Sequence, residues 1–344
     1  MSAGAPLLEV RDLCIGYRDA DGVDVQLLRG VDLRLGEGEV IAVVGESGCG
    51  KSIMAKAIHG VLARPPLRID RGEIRYRGAN LLDLDAARYH ALRGTAFTLV
   101  PQHPLSSLNP LFTVAEQFFD LICFQGRARV GPIEYWRPRL SRAKRAEVRE
   151  RTVAALREVS LPNPEAILER YPFQLSGGMS QRVLIAMALL SRPAIVIADE
   201  PGTALDVTIE SQINDLLLER TRANAMSMIY ITHDLGIASQ IADRVYVMYA
   251  GRVVEEGATA SVFAAPRHPY TAGLLRAVPK ITNEPFAGIP GTLPDAKAVG
   301  GGCAFRWRCP HAIAACAAAV PPLADVGAGR RAACVRAGEI TLAA

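Results

Sequence analysis

The 344-residue sequence predicts an α/β fold: a largely parallel strand–helix core built around one phosphate-binding loop. Three observations carry that expectation. A short apolar run, Val40 to Val44, leads directly into "GESGCGKS" at 45–52, and a helix-type pattern follows. A second apolar run, "AIVIADEP" at 194–201, ends in two carboxylates. From Val40 to Val100, and again from Ala194 to Val254, strand-type and helix-type segments alternate.

Composition narrows the class without deciding it. The length can bury a large core and suggests two domains, or one domain with an extension. Half the residues are hydrophobic and 22% are charged, with no low-complexity block. A net charge of +4 is mild, and by itself it does not argue for a nucleic-acid partner. No apolar run approaches the roughly 18 residues needed to cross a bilayer; "VLIAMALL" and "AIVIA" are core-element length. "MSAGAPLLEVRD" lacks the basic start and apolar stretch of a signal peptide, so a soluble or peripheral cytoplasmic protein is expected. The seven cysteines favour metal or cluster ligation over paired disulfides in such a compartment.

Taken in order, residues 7–35 alternate apolar and polar positions, and "GEIRYRG" adds another strand, which predicts an antiparallel strand group. The loop at 45–52 fits G-x-x-x-x-G-K-[ST] in the required strand–loop–helix setting. Gly45, Gly48 and Gly50 let backbone N–H groups curl around phosphate oxygens, with Ser47 and Cys49 between them, and the next helix aims its positive end at the same place. Lys51 adds a charge for the terminal phosphates, and the Ser52 hydroxyl can ligate Mg²⁺. Cys49, inside this loop, is expected to make the site sensitive to alkylation.

Residues 103–190 read as mostly helical and interrupt the core. Within them, "SRAKRAEVRERTVAALREV" places Val148, Leu156 and Val159 on one face and basic residues around the rest. This reads as a solvated amphipathic helix in preference to an acidic-lipid contact. "LSGGMSQR" at 175–182 is a second anion-seeking helix start, at Ser176, Gly177 and Gly178. One nucleotide needs only one cradle per chain, so this one suggests reach toward another subunit's nucleotide. The apolar run before Asp199 fits a doubly buried parallel strand. Asp199 suits a Mg²⁺ shell, and Glu200 suits polarising an attacking water.

After "GRVVEEG" the composition shifts to frequent Pro and Gly, with "HPYTAGLLRAV" as one more helix. Cys303, Cys309, Cys316 and Cys334 follow. Structural zinc usually includes a cysteine pair two to four residues apart, and none occurs here. Cys309–Pro310 is a pairing also seen in iron–sulfur runs. Cluster, zinc and free thiols all remain open on spacing alone. Cys14 and Cys123 read as small core residues.

These motifs together resemble the nucleotide-binding subunit of an ATP-binding cassette (ABC) transporter, over residues 7 to about 260. Tyr17 in "CIGY" is similar to the family's adenine-stacking aromatic, "GESGCGKS" to Walker A, and Gln102 in "LVPQHPLSSLNP" to the Q-loop glutamine. "LSGGMSQR" is similar to the signature, "IADEP" to Walker B, "TALD" ending at Asp206 to the D-loop, and His233 in "ITHD" to the switch histidine. "PLSSLNPLFTVAEQ", "APRHPYTAGLLRAVP", "IPGTLPD" and "GCAFRWRCP" resemble the oligopeptide/dipeptide importer branch more closely. There are two departures: Ser180 stands where that branch usually has a basic residue, and Gly202 where it usually has Thr.

The resemblance implies an ABC-type nucleotide-binding domain over 1–260, made of a RecA-like core, an antiparallel β subdomain and a helical subdomain at about 103–190. A small cysteine-containing extension, 261–344, would follow. It implies an ATPase with Glu200 as base, His233 on the γ-phosphate and water, and Mg²⁺ held through Ser52, Gln102 and Asp199. Ser176, Gly177, Gly178 and Gln181 would act in trans on a second ATPase subunit's nucleotide. Two transmembrane permease subunits and an extracytoplasmic substrate-binding protein complete the implied importer, with this chain peripheral at the cytoplasmic face and no nucleic acid. A [4Fe–4S] cluster on the four tail cysteines is the branch's implication, with Zn²⁺ as the alternative. Other cargo, such as nickel chelates or sugars, is the alternative to peptides. Lys51 and Ser176 are only 125 positions apart without sustained heptads, and there is one cassette, which argues against the DNA-repair and ribosome-acting ABC ATPases.

Overall fold

Alternation in the first 35 residues becomes two long paired strands, β1 (Leu8–Arg18) and β2 (Asp24–Leu35). A computed structural model describes residues 5–127, 141–203, 205–278 and 288–342. Residues 128–140 of the expected helical segment, Ala204 of the D-loop stretch and Pro279 of the tail stretch lie outside these described residues. The described residues form two compact units: one holds those up to 82 together with those from 229 onward, and the other holds those within 83–228.

In the first unit, β1 pairs antiparallel with β2 and with β4 (Leu67–Tyr76), which in turn pairs with β5 (Ala79–Asn80). The order is β2-β1-β4-β5, the expected antiparallel group. Leu8, Leu13, Ile15 and Leu33 are fully enclosed on its apolar face. Strand β3 (Val40–Val44) is buried throughout and runs parallel to β9 (Arg244–Tyr249). Strand β10 (Arg252–Ala258) returns antiparallel to β9. Helix α1 (Lys51–His59) buries Met54, Ala55, Ala57 and Ile58.

The extension does not form a unit of its own, although the sequence suggested a boundary at 260/261. Strand β12 (Arg331–Ala332) pairs antiparallel with β10, and β11 (Ala324–Asp325) pairs with β12, so the tail prolongs the sheet edge. Tyr270 and Phe305 enter the same apolar cluster as Val44, Val247 and Tyr249. Shared strand pairing and a shared core make two sequence modules one compact unit.

In the second unit, β6 (Phe97–Val100) runs parallel to β7 (Ile195–Asp199). The described part of the intervening chain is mainly helical. Helix α4 (Val114–Phe124) starts from a Thr113/Glu116 capping box, which satisfies two otherwise unpaired N–H groups. The basic helix α5 (Arg142–Glu158) begins at Ser141 and buries Val148, Val153 and Leu156, with Val159 enclosed at its end. Its Lys144, Arg149 and Arg157 pair with Glu147, Glu169 and Glu165, the behaviour of a solvated face. Helix α7 (Gly177–Leu189) carries the signature stretch, and α8 (Val207–Ala223) follows the D-loop. Among the described residues, no helix is long and apolar enough to cross a membrane.

Candidate nucleotide site and cysteine site

The phosphate loop is held by backbone constraints. Gly45 adopts φ +151°, and a Cβ there would lie 2.2 Å from the Met248 carbonyl oxygen, so only glycine lets the strand turn at this point. Gly50 caps α1 at φ 109°, and a Cβ on it would meet Leu28 at 2.6 Å. The Cys49 N–H donates to the Glu46 carbonyl at 3.3 Å, and the Gly251 N–H donates to the Cys49 carbonyl at 2.9 Å. Lys51 Nζ donates to the Gly45 and Glu46 carbonyls at 2.7 and 3.1 Å, curling the ammonium back over the loop it serves. Ser47 and Gly48 are exposed, and Ser52 is half-buried at the first turn of α1. Tyr17, near the end of β1, is half-buried, and His233, just after β8 (Ser227–Thr232), is exposed.

Cys49 corrects the expectation of a reactive thiol. It is 1% exposed, and burial pushes its thiol above the ordinary value, only partly opposed by Lys51. The loop winds its side chain inward, which suppresses the thiolate that would react.

In the second unit, Asp199 is buried at the end of β7, and Glu200 follows with φ +48°. A left-handed backbone at a non-glycine residue stores strain and is held only by its surroundings. Gln102 Nε2 donates to Glu200 Oε2 at 3.1 Å, and Thr203 Oγ1 donates to the same oxygen at 3.2 Å. Thus Q-loop and Walker B residues 98 positions apart meet. Gly202 also finds a physical reason: a Cβ there would come within 2.5 Å of Glu210 Cγ, so a threonine would require Glu210 to move.

The signature residues separate into two groups. Ser176 caps α7 by accepting from the Met179 N–H at 3.3 Å, and Ser176 and Gly177 are exposed, with Gly178 half-buried. Gln181 was expected to face another subunit, but it is fully buried within this chain, as is Ser180. One helical turn separates the exposed helix start from the enclosed face, and α7 is apolar over most of its circumference, so sequence periodicity did not show where Gln181 points. Asp206 caps α8, its carboxylate accepting from the Ile209 N–H at 3.0 Å.

In the first unit, the extension brings all four tail cysteines to one small, mainly apolar cavity, which His268 and His311 also line. Burial raises the Cys303, Cys309 and Cys334 thiols above their ordinary value, and Cys334 is raised further by Cys303, Cys309 and Cys316. The Cys303 N–H donates to the Cys316 carbonyl at 2.7 Å, closing a loop between them. Donor chemistry and convergence fit a four-thiolate group. Ligand-distance geometry is not preset: among the described residues, no three His, Cys, Asp or Glu side chains are arranged to hold a metal ion. Cys14 is buried, as expected of a small core residue, whereas Cys123 is only half-buried.

The sequence offered no sign of Arg308. This extension residue pairs with Glu46 of the phosphate loop, 262 positions away. Burial would lower its pKa, but hydrogen bonds to Glu46 and Tyr249 outweigh that and hold it above the ordinary value.

Comparison with known families then decides the lineage. A family model described as "ABC transporter" matches residues 28–203, just over half the chain. The chain belongs to the ABC transporter family. A second model, the oligopeptide/dipeptide transporter C-terminal region, matches 254–316 and so includes three of the four tail cysteines. A probable peptide ABC transporter ATP-binding protein of Sinorhizobium fredii is 38% identical, covering 97% of this chain and 96% of the relative. The oligopeptide transport ATP-binding protein OppD of Bacillus subtilis is 40% identical over 89% of this chain and 82% of its own length. An ATP-binding cassette solved as a dimer in a post-hydrolysis state, with ADP and phosphate bound, superposes with a TM-score of 0.61 at 27% identity. That match covers 73% of this chain and 98% of the other. The fold is the ABC ATPase cassette, and the chain is an ABC ATPase.

Proposed function

We propose that this chain is the ATP-hydrolysing subunit that energises import of dipeptides and oligopeptides across a cell membrane. The observation that carries it is the union, in one chain, of a phosphate loop closed on Lys51 and a tail matching the oligopeptide/dipeptide transporter region. The loop N–H groups and Lys51 take the ATP phosphates, and Tyr17 stacks on the adenine. Ser52, Gln102 and Asp199 would hold Mg²⁺, which when bound would supply charge neutralisation for the transferred phosphoryl group. Glu200 accepts the proton of the attacking water, and His233 orients that water and the γ-phosphate. The strained backbone and the hydrogen bond from Gln102 support an aimed role for Glu200.

A second ATPase subunit, identical or homologous, receives Ser176, Gly177 and Gly178 at its nucleotide, with Asp206 in the adjoining D-loop. Gln181, enclosed in its own chain, is left out of this set. Two permease subunits and an extracytoplasmic binding protein complete the importer, with this chain peripheral at the cytoplasmic face. Leu105 and Leu111, 57% and 79% exposed just after Gln102, suit docking against apolar permease helices. The sequence modules, a cassette to 260 with its helical part at about 103–190 and an extension from 261, are units of ancestry more than of folding.

Cys303, Cys309, Cys316 and Cys334 are the residues that would hold a [4Fe–4S] cluster, with one zinc ion as the alternative. Such a group would crosslink a tail that has little secondary structure of its own. Anaerobically purified protein is expected to be brown, with about four irons and four sulfides per chain. One zinc with negligible iron, from iron-replete cells, would replace that assignment by the alternative.

The catalytic reading is tested by Glu200→Gln in the assembled transporter. Mg-ATP binding should persist while turnover falls roughly 10²- to 10⁴-fold, the range for losing a general base. Near-normal turnover, with the sister subunit's own site disabled, would exclude Glu200 as the base.

A further inference from the structure

We propose that the cysteine-bearing extension supplies a positioning residue to the nucleotide site: Arg308 neutralises Glu46 inside the phosphate loop and holds the loop open to phosphate. This rests on the ATP-binding reading above. Arg308 Nη1 and Nη2 donate to the two Glu46 carboxylate oxygens at 2.8 and 2.9 Å, a bidentate pair. Its Nε donates to the Pro290 carbonyl at 2.8 Å, so the guanidinium plane is fixed from the extension side. The Arg308 side chain is only 8% exposed. Such enclosure makes the pair more than a surface ion pair, whose contribution is usually small.

Glu46 follows the first glycine of the loop, where a carboxylate is a liability. It brings a negative charge close to an anionic ligand in a partly enclosed site, where charges are felt strongly. Arg308 cancels that charge and pins the side chain away from the loop interior. The rest of the residue is gripped as well. Its N–H donates to the Tyr270 hydroxyl at 2.9 Å, and its carbonyl accepts from Lys51. Tyr270 is itself fully buried. Tyr270 belongs to the extension, which thus touches the loop a second time, and a Leu293 methyl of the same extension lies 3.6 Å from where a Gly48 Cβ would sit. The extension is therefore wired to the phosphate loop through charge, and a disturbance around Cys309 reaches ATP through its neighbour Arg308.

The test uses the full-length chain and measures Mg-ATP and Mg-ADP affinity by competition with a fluorescent ATP analogue. Arg308→Met keeps length but removes charge, leaving Glu46 bare. Mg-ATP should bind roughly 10- to 100-fold more weakly, and Mg-ADP should lose less because it carries less charge. The double variant Glu46→Gln/Arg308→Met removes both charges and should recover to within about threefold of wild type, and Arg308→Lys should recover in part. Wild-type affinity in Arg308→Met overturns the proposal. So does a double variant as weak as Arg308→Met, or an equal loss for ATP and ADP, because a role confined to folding gives those results. If Arg308→Met fails to fold, the Glu46→Gln background decides. There, adding Arg308→Met should cost less than about threefold, and a larger loss overturns the neutralising role. A wild-type chain that binds no Mg-ATP would overturn the nucleotide reading instead.

Discussion

The phosphate loop and the cysteine extension share one compact unit yet are constructed in opposite ways. The loop is eight consecutive residues whose shape is set by backbone, with glycines at φ +151°, +83° and +109° and carbonyls that anchor Lys51. The extension spreads four cysteines over 32 residues with only short helical and strand pieces between them. Its cohesion comes from side chains and from pairing with a distant strand. The Ala333 N–H, one residue before Cys334, donates to the Val254 carbonyl at 2.8 Å. A backbone-coded site tolerates side-chain variation and fails at a single methyl group. A side-chain-coded site tolerates backbone variation and fails when an anchor is removed.

The largest effect should come from adding one methyl to the loop. In Gly45→Ala the new carbon would occupy a point 2.2 Å from the Met248 carbonyl, at a backbone angle unfavourable to alanine. We expect a loss of more than about 4 kcal/mol in stability, with no measurable Mg-ATP binding. Gly48→Ala, where the nearest atom is 3.6 Å away at φ +83°, pays backbone strain alone and should lose about 1 kcal/mol. Thermal unfolding and nucleotide binding check both. Equal losses at the two glycines would break the steric account of the loop.

The next effect tests the extension's anchor. Phe305 is 2% exposed, and its ring centroid lies 5.2 Å from Tyr249, edge-on, and 5.3 Å from Tyr270. It stands between Cys303 and Cys309, so it plugs the cysteine segment into the core. Phe305→Ala should cost about 3 kcal/mol, the lower end for a buried phenylalanine whose neighbours can partly collapse. The buried Cys316 should then become accessible to thiol reagents. Mg-ATP affinity should fall as well, through Arg308 and Glu46, but by less than in Gly45→Ala. A fully protected Cys316 together with an unchanged melting temperature would show that Phe305 is not the anchor.

The same contrast explains what the sequence revealed. The loop could be read because its glycines, Lys51 and Ser52 are neighbours in the chain and their spacing is the mechanism. The alternating strands could be read because each buries one face. The four cysteines were found by type and compartment, but their convergence depends on β12 pairing with β10, a contact between residues about 75 positions apart that no local pattern encodes. The Glu46–Arg308 pair is longer-range still. Gln181 was misplaced because a helix apolar nearly all round has no readable outer face. Cys49 was misjudged because the loop motif specifies backbone positions and says nothing of which intervening side chain turns inward.

Cys49 gives the smallest expected effect and the finest test of the comparison. It is a side chain inside a backbone-coded site, so its chemistry should matter little. The thiol is buried, 3.0 Å from where a Gly45 Cβ would sit, and burial raises its pKa, so thiolate is scarce at neutral pH. Serine is close to cysteine in size, and Cys49→Ser should change Mg-ATP affinity by less than about threefold, within the range of an ordinary mild substitution. On treatment with a maleimide, wild type and Cys49→Ser should lose ATPase activity at rates within about twofold, with little protection by Mg-ATP. In protein stripped of any group bound by the tail, whatever inactivation occurs should track labelling of the half-buried tail thiols Cys303, Cys309 and Cys334. Fast inactivation of wild type, blocked by Mg-ATP and absent in Cys49→Ser, would mean that the loop opens far enough to expose its interior. The backbone would then be less rigid than its glycine geometry implies, and the contrast between the two regions would narrow to one of sequence distance alone.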